Sequence, residues 1–172
     1  MKNQHIYLIG MPGSGKTTLG QALSASLSLP FADVDARIEA FANMPITQIF
    51  PERGEEAFRR MEGEALAQCA AEPPQVIATG GGVVLREANI ALMRATGTVL
   101  WIDRPLKHIL GDVRQDTRPL LAGDAAERLR TLHVQREALY RGASHHRVDN
   151  VGMEEQGLRQ ALAMLKQTVP QS

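Results

Sequence analysis

The sequence predicts a three-layer α/β/α domain built on a parallel sheet, and three observations carry that expectation. Short apolar runs alternate with longer segments of helical spacing along the chain. The first run, His5–Ile9, leads at once into a glycine-rich turn and a helix, and the last segment, Glu154–Gln167, is amphipathic. Strands alternating with helices imply parallel pairing, with helices packed on both faces of the sheet. The 172 residues suit a single domain, 1–172, able to bury a sizeable core.

Each element has a local reason. His5–Ile9 is a short apolar strand, followed after the glycine turn by a helix from about Gly15 to Leu27, which Pro30 ends. Phe31–Val34 reads as a second strand. Ala36–Ala42 and Glu55–Ala71 carry helical spacing, separated by a turn around Asn43–Pro45 and a short helical piece, Ile46–Phe50. Pro73 and Pro74 stop the long helix, and Val76–Ala78 is a third strand. A sharp turn at Gly80–Gly82 precedes a helix over Arg86–Arg94, and Thr98–Ile102 is a fourth strand. Pro105 suits the first turn of the next helix. Arg114–Asp124 is polar, contains Arg118-Pro119, and is expected to be a mobile loop. Ala125–Arg141 is helical, and His146–Val148 is a fifth strand.

Composition narrows the function. Hydrophobic content of 44% and charged content of 22% are those of a globular protein in water, and a formal net charge of zero provides no basic field to draw in nucleic acid or an acidic membrane. The basic residues are 15 arginines and 4 lysines, so arginines fall near one another by chance and a cluster of them means little alone. Cys69 is the single cysteine; it lies in an apolar helical stretch and reads as buried filler, with no disulfide or cysteine zinc site to form within the chain. No signal peptide fits before the first strand and no apolar run is long enough to span a membrane, so the expectation is a cytoplasmic protein.

Gly10-Met11-Pro12-Gly13-Ser14-Gly15-Lys16-Thr17 matches the pattern G-x-x-x-x-G-K-[ST] in full. Glycines let backbone N–H groups converge on phosphate oxygens, and the following helix adds its unpaired N–H groups and positive dipole end. Lys16 would reach the β- and γ-phosphates, and the Thr17 hydroxyl would ligate Mg²⁺. The expected ATP contacts are Gly13, Ser14, Gly15, Lys16, Thr17 and Thr18. Such loops need a carboxylate near the metal, and two candidates stand open. Asp103 ends the apolar run Val99–Ile102; Asp33 and Asp35 follow the second strand, where a period of two would place both on one side. Either of the latter could equally cap the helix expected at Ala36. His145-His146 has metal-ligand residue types without a partner motif and reads as strand-edge filler.

Taken together the motifs resemble shikimate kinase over nearly the whole chain. Beyond the phosphate loop, the ordered set is Asp33-Val34-Asp35, Phe58-Arg59, Gly80-Gly81-Gly82, Arg118-Pro119-Leu120-Leu121 and Arg136-Glu137-Ala138-Leu139-Tyr140. The resemblance implies a P-loop kinase fold with five parallel strands in the order 2-3-1-4-5. It also implies transfer of the γ-phosphoryl of ATP to the 3-hydroxyl of shikimate, with Mg²⁺, in aromatic amino-acid biosynthesis. Arg59 and Arg136 would then clamp the substrate carboxylate, for which a planar guanidinium suits bidentate pairing. Asp35 would meet the ring hydroxyls and take the attacking proton, Asp33 would hold Mg²⁺ from the second shell, and Gly80, Gly81 and Gly82 would bring backbone close to the substrate.

The same resemblance settles the metal carboxylate against Asp103, left to start the following helix. It places the substrate-binding region at about 33–62 and a lid at about 112–124, with Arg118 closing over the phosphates. Phe50 and Phe58 match aromatic positions of the family's pocket, each also an ordinary core residue, and Glu62 sits one turn beyond Arg59, where it could fix that guanidinium or form a surface pair. Ala138 stands where the family often has proline, and Gly111–Gln115 has no clear match to the arginine that commonly packs on adenine, Arg114 reading as an exposed loop residue. The expected partners are ATP and shikimate, with no nucleic acid or membrane, and the expected state is a monomer. The nearest alternative is a P-loop kinase for another small hydroxy-acid such as gluconate, which shares Gly10–Thr17 but does not call for Arg59, Gly80–Gly82 and Arg136.

Overall fold

The computed structural model describes residues 4–116, 119–152 and 154–167, with only the backbone described over 113–116 and 119–123. Five strands, β1 (His5–Ile9), β2 (Phe31–Asp33), β3 (Val76–Ala78), β4 (Gly97–Asp103) and β5 (His146–Asp149), form one sheet in the order β2-β3-β1-β4-β5. Every pairing is parallel. The helices are α1 (Lys16–Leu27), α2 (Val34–Ala42), α3 (Ile46–Ala71), α4 (Glu87–Thr96), α5 (Leu106–Asp116), α6 (Pro119–Ala143) and α7 (Glu154–Gln167).

The central strand shows why there are three layers. All five residues of β1 are buried, which a strand achieves only with both sheet faces covered. Its alternate side chains enter two different cores. Tyr7 and Ile9 join Ile38, Leu66, Met93 and Tyr140 from α2, α3, α4 and α6. Ile6 and Leu8 join Leu19 and Leu23 of α1 with Ala161 and Leu165 of α7. Cys69 is fully buried in the first of these cores, as its apolar neighbours suggest. Among the described residues no helix is long and apolar enough to cross a membrane.

This strand order puts a topological switch point at the C-terminal end of β1. The chain leaves β1 for β2 and β3 on one side and crosses to β4 and β5 on the other, and the resulting crevice is where open α/β sheets bind ligands. The phosphate loop follows β1, Asp33 ends β2, and Gly80–Gly82 follow β3, so three separated motifs reach one rim.

Most boundaries lie within one or two residues of the sequence expectation, and four differences bear on the site. β2 ends at Asp33 and Val34 already opens α2, because the Asp33 side chain accepts hydrogen bonds from the N–H groups of Asp35 and Ala36 and so starts the helix two residues early. Asp35 therefore lies in a first helical turn, and the two-residue period invoked for Asp33 and Asp35 does not apply. Residues 46–50 and 55–71 form one helical run, bent where Gly54 adopts φ 80°. Pro105 precedes α5 by one residue, its carbonyl accepting from the N–H groups of His108 and Ile109. Helix also replaces much of the loop expected over 114–124, since α5 runs to Asp116 and α6 starts at Pro119. Proline at the first helical position has no N–H to waste, and Leu120, Leu121 and Ala122 favour helix.

Candidate active site

The phosphate loop spans Gly10–Thr17 and delivers the chain into α1 through Gly15 at φ 90°, a left-handed geometry that glycine adopts without steric cost. Lys16 is buried and lies back across the loop, donating to Gly10 O at 2.9 Å and Met11 O at 2.8 Å. Burial holds its ammonium down to about 8, with the Asp35 and Asp33 carboxylates pulling the other way. The Thr17 hydroxyl donates to Asp33 Oδ2 at 3.1 Å. Asp33 thus performs the capping task with Oδ1 and meets Thr17 with Oδ2. The capping reading holds, and Oδ2 stays beside the hydroxyl expected to ligate the metal.

Asp35, in the first turn of α2, points into the same crevice. Burial pushes its carboxyl up to about 6, helped by the charges of Asp33 and Glu62 and opposed by Lys16. Gly80 makes room for two carboxylates: a Cβ there would stand 2.7 Å from Glu62 Oε1 and 2.9 Å from Asp35 Oδ1. At Gly82 a Cβ would overlap the Arg59 guanidinium, and at Gly81 it would stand 2.8 Å from Pro12 Cδ. The glycine triplet is the floor over which the acidic, basic and phosphate-binding groups meet.

Arg59 donates through Nη1 to Glu62 Oε2 at 2.8 Å, and its Nε lies 3.6 Å from Glu55 Oε1. Arg59 is 8% exposed and Glu62 0%, so the i,i+3 pair is buried and not a surface pair. Burial raises the Glu62 carboxyl while the hydrogen bond to Arg59 lowers it. The guanidinium also lies 5.8 Å from the Phe50 ring centroid and 5.2 Å from that of Phe58, and the two rings are 4.5 Å apart. Both aromatics flank the charge, so they belong to the wall of the site as well as to the core.

Arg136, on α6, is buried and acts electrostatically on Lys16, Glu62 and Tyr140. Tyr140, one turn on, is 1% exposed, donates to Gly81 O at 2.5 Å and stacks on Trp101 with centroids 6.3 Å apart. Burial pushes its phenol up to about 12, so it remains a donor across any working pH. Among the described residues, Ser14 Oγ, Asp35 Oδ1, Arg59 Nε and Glu62 Oε1 are buried side-chain atoms without a hydrogen-bond partner in this crevice, and His5 Nδ1, at the start of β1, is a fifth outside it. Buried polar atoms in that state concentrate where a ligand completes them.

Thr18 is exposed and lines a cleft beside the loop with Gly15, Arg104, Asn150, Gly152 and Glu154. Arg118 lies outside the described residues. The Asp103 carboxylate pairs with Arg147 Nε at 3.0 Å across the β4–β5 ladder. His145 is a strand-end residue whose Nδ1 accepts from Val99 N–H at 2.9 Å. Sequence reasoning missed Arg104 and Asn150, which donate to Gly13 O and Ser14 O. Neither belongs to a spaced motif, and the one available signal was position just beyond a strand.

A phosphate loop opposed by a buried carboxylate and two buried arginines, at a switch point of a 2-3-1-4-5 parallel sheet, defines an ATP-dependent small-molecule kinase. The sequence profile described as shikimate kinase matches residues 12–166, and on that match the chain belongs to the shikimate kinase family. Shikimate kinase of Symbiobacterium thermophilum is 44% identical over 148 residues, covering 84% of this chain and 85% of that protein. Shikimate kinase 2 of Syntrophotalea carbinolica is 39% identical over 168 residues, covering 95% and 97%. Among solved structures, shikimate kinase from Acinetobacter baumannii in complex with shikimate superposes with TM-score 0.87 at 31% identity, covering 99% of this chain and 96% of that one. A gluconokinase from Sinorhizobium meliloti shares the fold at TM-score 0.61 and 20% identity, covering 96% and 93%.

Proposed function

We propose that this chain transfers the γ-phosphoryl of ATP to the 3-hydroxyl of shikimate, giving shikimate 3-phosphate and ADP for aromatic amino-acid biosynthesis. The observation that carries the reading is the Gly80–Gly82 floor, where the Arg59–Glu62 pair and Asp35 converge beside the phosphate loop. Arg59 and Arg136 are both buried and Glu62 is paired with Arg59, so the crevice keeps positive charge suited to an anionic acceptor. Shikimate is a triol with one carboxylate.

In this reading Arg59 and Arg136 hold the substrate carboxylate, and Glu62, Phe50 and Phe58 hold Arg59. Asp35 accepts the proton of the 3-hydroxyl as its oxygen bonds to the γ-phosphorus; the bond to the β–γ bridging oxygen breaks and ADP leaves. A raised carboxyl suits that task, because it takes up a proton near neutral pH. Lys16 turns from Gly10 O and Met11 O to the β- and γ-phosphates, with Ser14, Gly15 and Thr18 alongside. Thr17 and Asp33 fit Mg²⁺, a hydroxyl and a carboxylate oxygen being a hard-donor pair suited to a divalent ion and its waters. Bound there, the ion would neutralise phosphate charge. Arg118 completes the site from the lid segment near 112–124, adding positive charge to the transferred group and excluding water.

The test is a coupled assay for ADP release with a panel of hydroxy-acids. Turnover with shikimate and none with gluconate is expected; turnover with gluconate alone overturns the reading.

A further inference from the structure

Two consecutive carbonyls of the phosphate loop are held by side chains outside any recognised motif. Asn150 Nδ2 donates to Ser14 O at 2.8 Å, and Arg104 Nη1 donates to Gly13 O at 3.0 Å. Asn150 is itself anchored: its backbone N–H donates to Asp103 O at 2.8 Å, continuing the β4–β5 ladder one step past the paired Asp103 and Asp149. The same Arg104 Nη1 also donates to Asp112 Oδ2 at 2.6 Å, on α5, which holds the guanidinium in place.

The peptide between Ser14 and Gly15 is trans, like every peptide bond described, so its carbonyl and N–H point in opposite directions. Fixing Ser14 O against Asn150 turns Gly15 N–H away from the sheet-side anchor. The contact is close enough to dictate sequence, since a Cβ at Gly15 would stand 2.5 Å from Asn150 Nδ2. A loop with glycine at positions 10, 13 and 15 has little stiffness of its own, and donors aimed in advance bind an anion without an ordering cost.

We propose that Asn150 is a positioning residue of the phosphoryl-donor site, its carboxamide holding the Ser14–Gly15 peptide with its N–H turned to the polyphosphate. This goes beyond the acceptor assignment and does not depend on it, because the ligand concerned is the phosphate chain.

The experiment compares the full-length protein with Asn150→Ala, Asn150→Asp and Asn150→Thr. It reads the Kd of ADP, the Ki of inorganic tripolyphosphate against ATP, the Kd of shikimate without nucleotide, and Tm. The Ala variant is expected to bind ADP and tripolyphosphate about tenfold more weakly, in the same proportion, with shikimate affinity within about twofold. The Asp variant, of the same shape but an acceptor only, loses at least as much, and Thr, which keeps a donor, restores part of the affinity. Unchanged ADP and tripolyphosphate affinities overturn the proposal. Loss for ADP without loss for tripolyphosphate also overturns it, because Asn150 is then a nucleoside contact. A matching loss of shikimate affinity overturns it as well, since the damage is then to the fold.

Discussion

Thr17 and Asp33 meet at the junction of α1 and β2, the hydroxyl donating to Asp33 Oδ2 at 3.1 Å while Oδ1 of the same carboxylate caps α2. One side chain thereby ties the start of α2 to the residue that follows the phosphate-loop lysine. The two tasks use different oxygens, so substitutions can separate them.

Asparagine keeps the capping oxygen and removes the charge. Asp33→Asn is therefore expected to leave Tm within about 2 °C of the parent, because asparagine caps as well as aspartate. It should raise the Mg²⁺ concentration for half-maximal rate by about tenfold or more. Asp33→Ala should add a loss of about 1 kcal/mol in stability from the missing cap. Magnesium titrations and thermal melts on both variants check this.

Asp35 predicts opposite effects on rate and stability. Its carboxyl is raised from 3.8 to about 6, chiefly by burial, so the fold prefers the protonated form. The favourable contribution is complete below the unfolded value and is lost as pH rises through about 6. Asparagine mimics the protonated group. Asp35→Asn should thus raise Tm by roughly 3–8 °C at pH 7.5, with the gap closing below about pH 4. It should also lower kcat by about 10²–10⁴ and abolish an acid limb near pH 6 in kcat/KM for shikimate. Melts across pH and a rate profile measure the two.

The glycine floor predicts a separation of the substrates. A methyl group at Gly82 would overlap the Arg59 guanidinium, and one at Gly80 would press on Asp35 and Glu62. Gly82→Ala should raise the shikimate KM by about tenfold or more and leave the ATP KM within about threefold, because the displaced groups are those proposed to hold the acceptor. Initial-rate kinetics with each substrate varied settle it.

The Arg59–Glu62 pair predicts a partial rescue. Arg59→Ala leaves Glu62 buried without its partner and should cost about 3 kcal/mol in stability together with most of the shikimate affinity. Adding Glu62→Gln removes the stranded charge, so denaturant melts should recover part of the stability, while shikimate titration recovers nothing.

Much of the architecture was legible because the relevant patterns are local. The burial of every β1 residue, the alternation of strands with helices and the proline stops could be read from neighbouring residues. The α2 boundary could not, because a cap depends on which way the Asp33 side chain turns. The segment 114–124 misled for a different reason: its polarity suggested a loop and outweighed the local signal that Pro119 and the residues after it suit a helix start.

For the site, sequence alone established the phosphate loop and the set of residues that resemble the shikimate kinase motifs, since residue type and spacing survive without coordinates. Tertiary structure decided which groups touch. It buried Glu62 against Arg59, divided Asp33 between a cap and Thr17, sent Asp103 to Arg147, and set Asn150 beside a loop that lies 136 residues away in the chain. These outcomes turn on burial and on distances of a few ångströms between segments remote in sequence. Parallel strands bring such segments to one rim, and no local pattern encodes that approach.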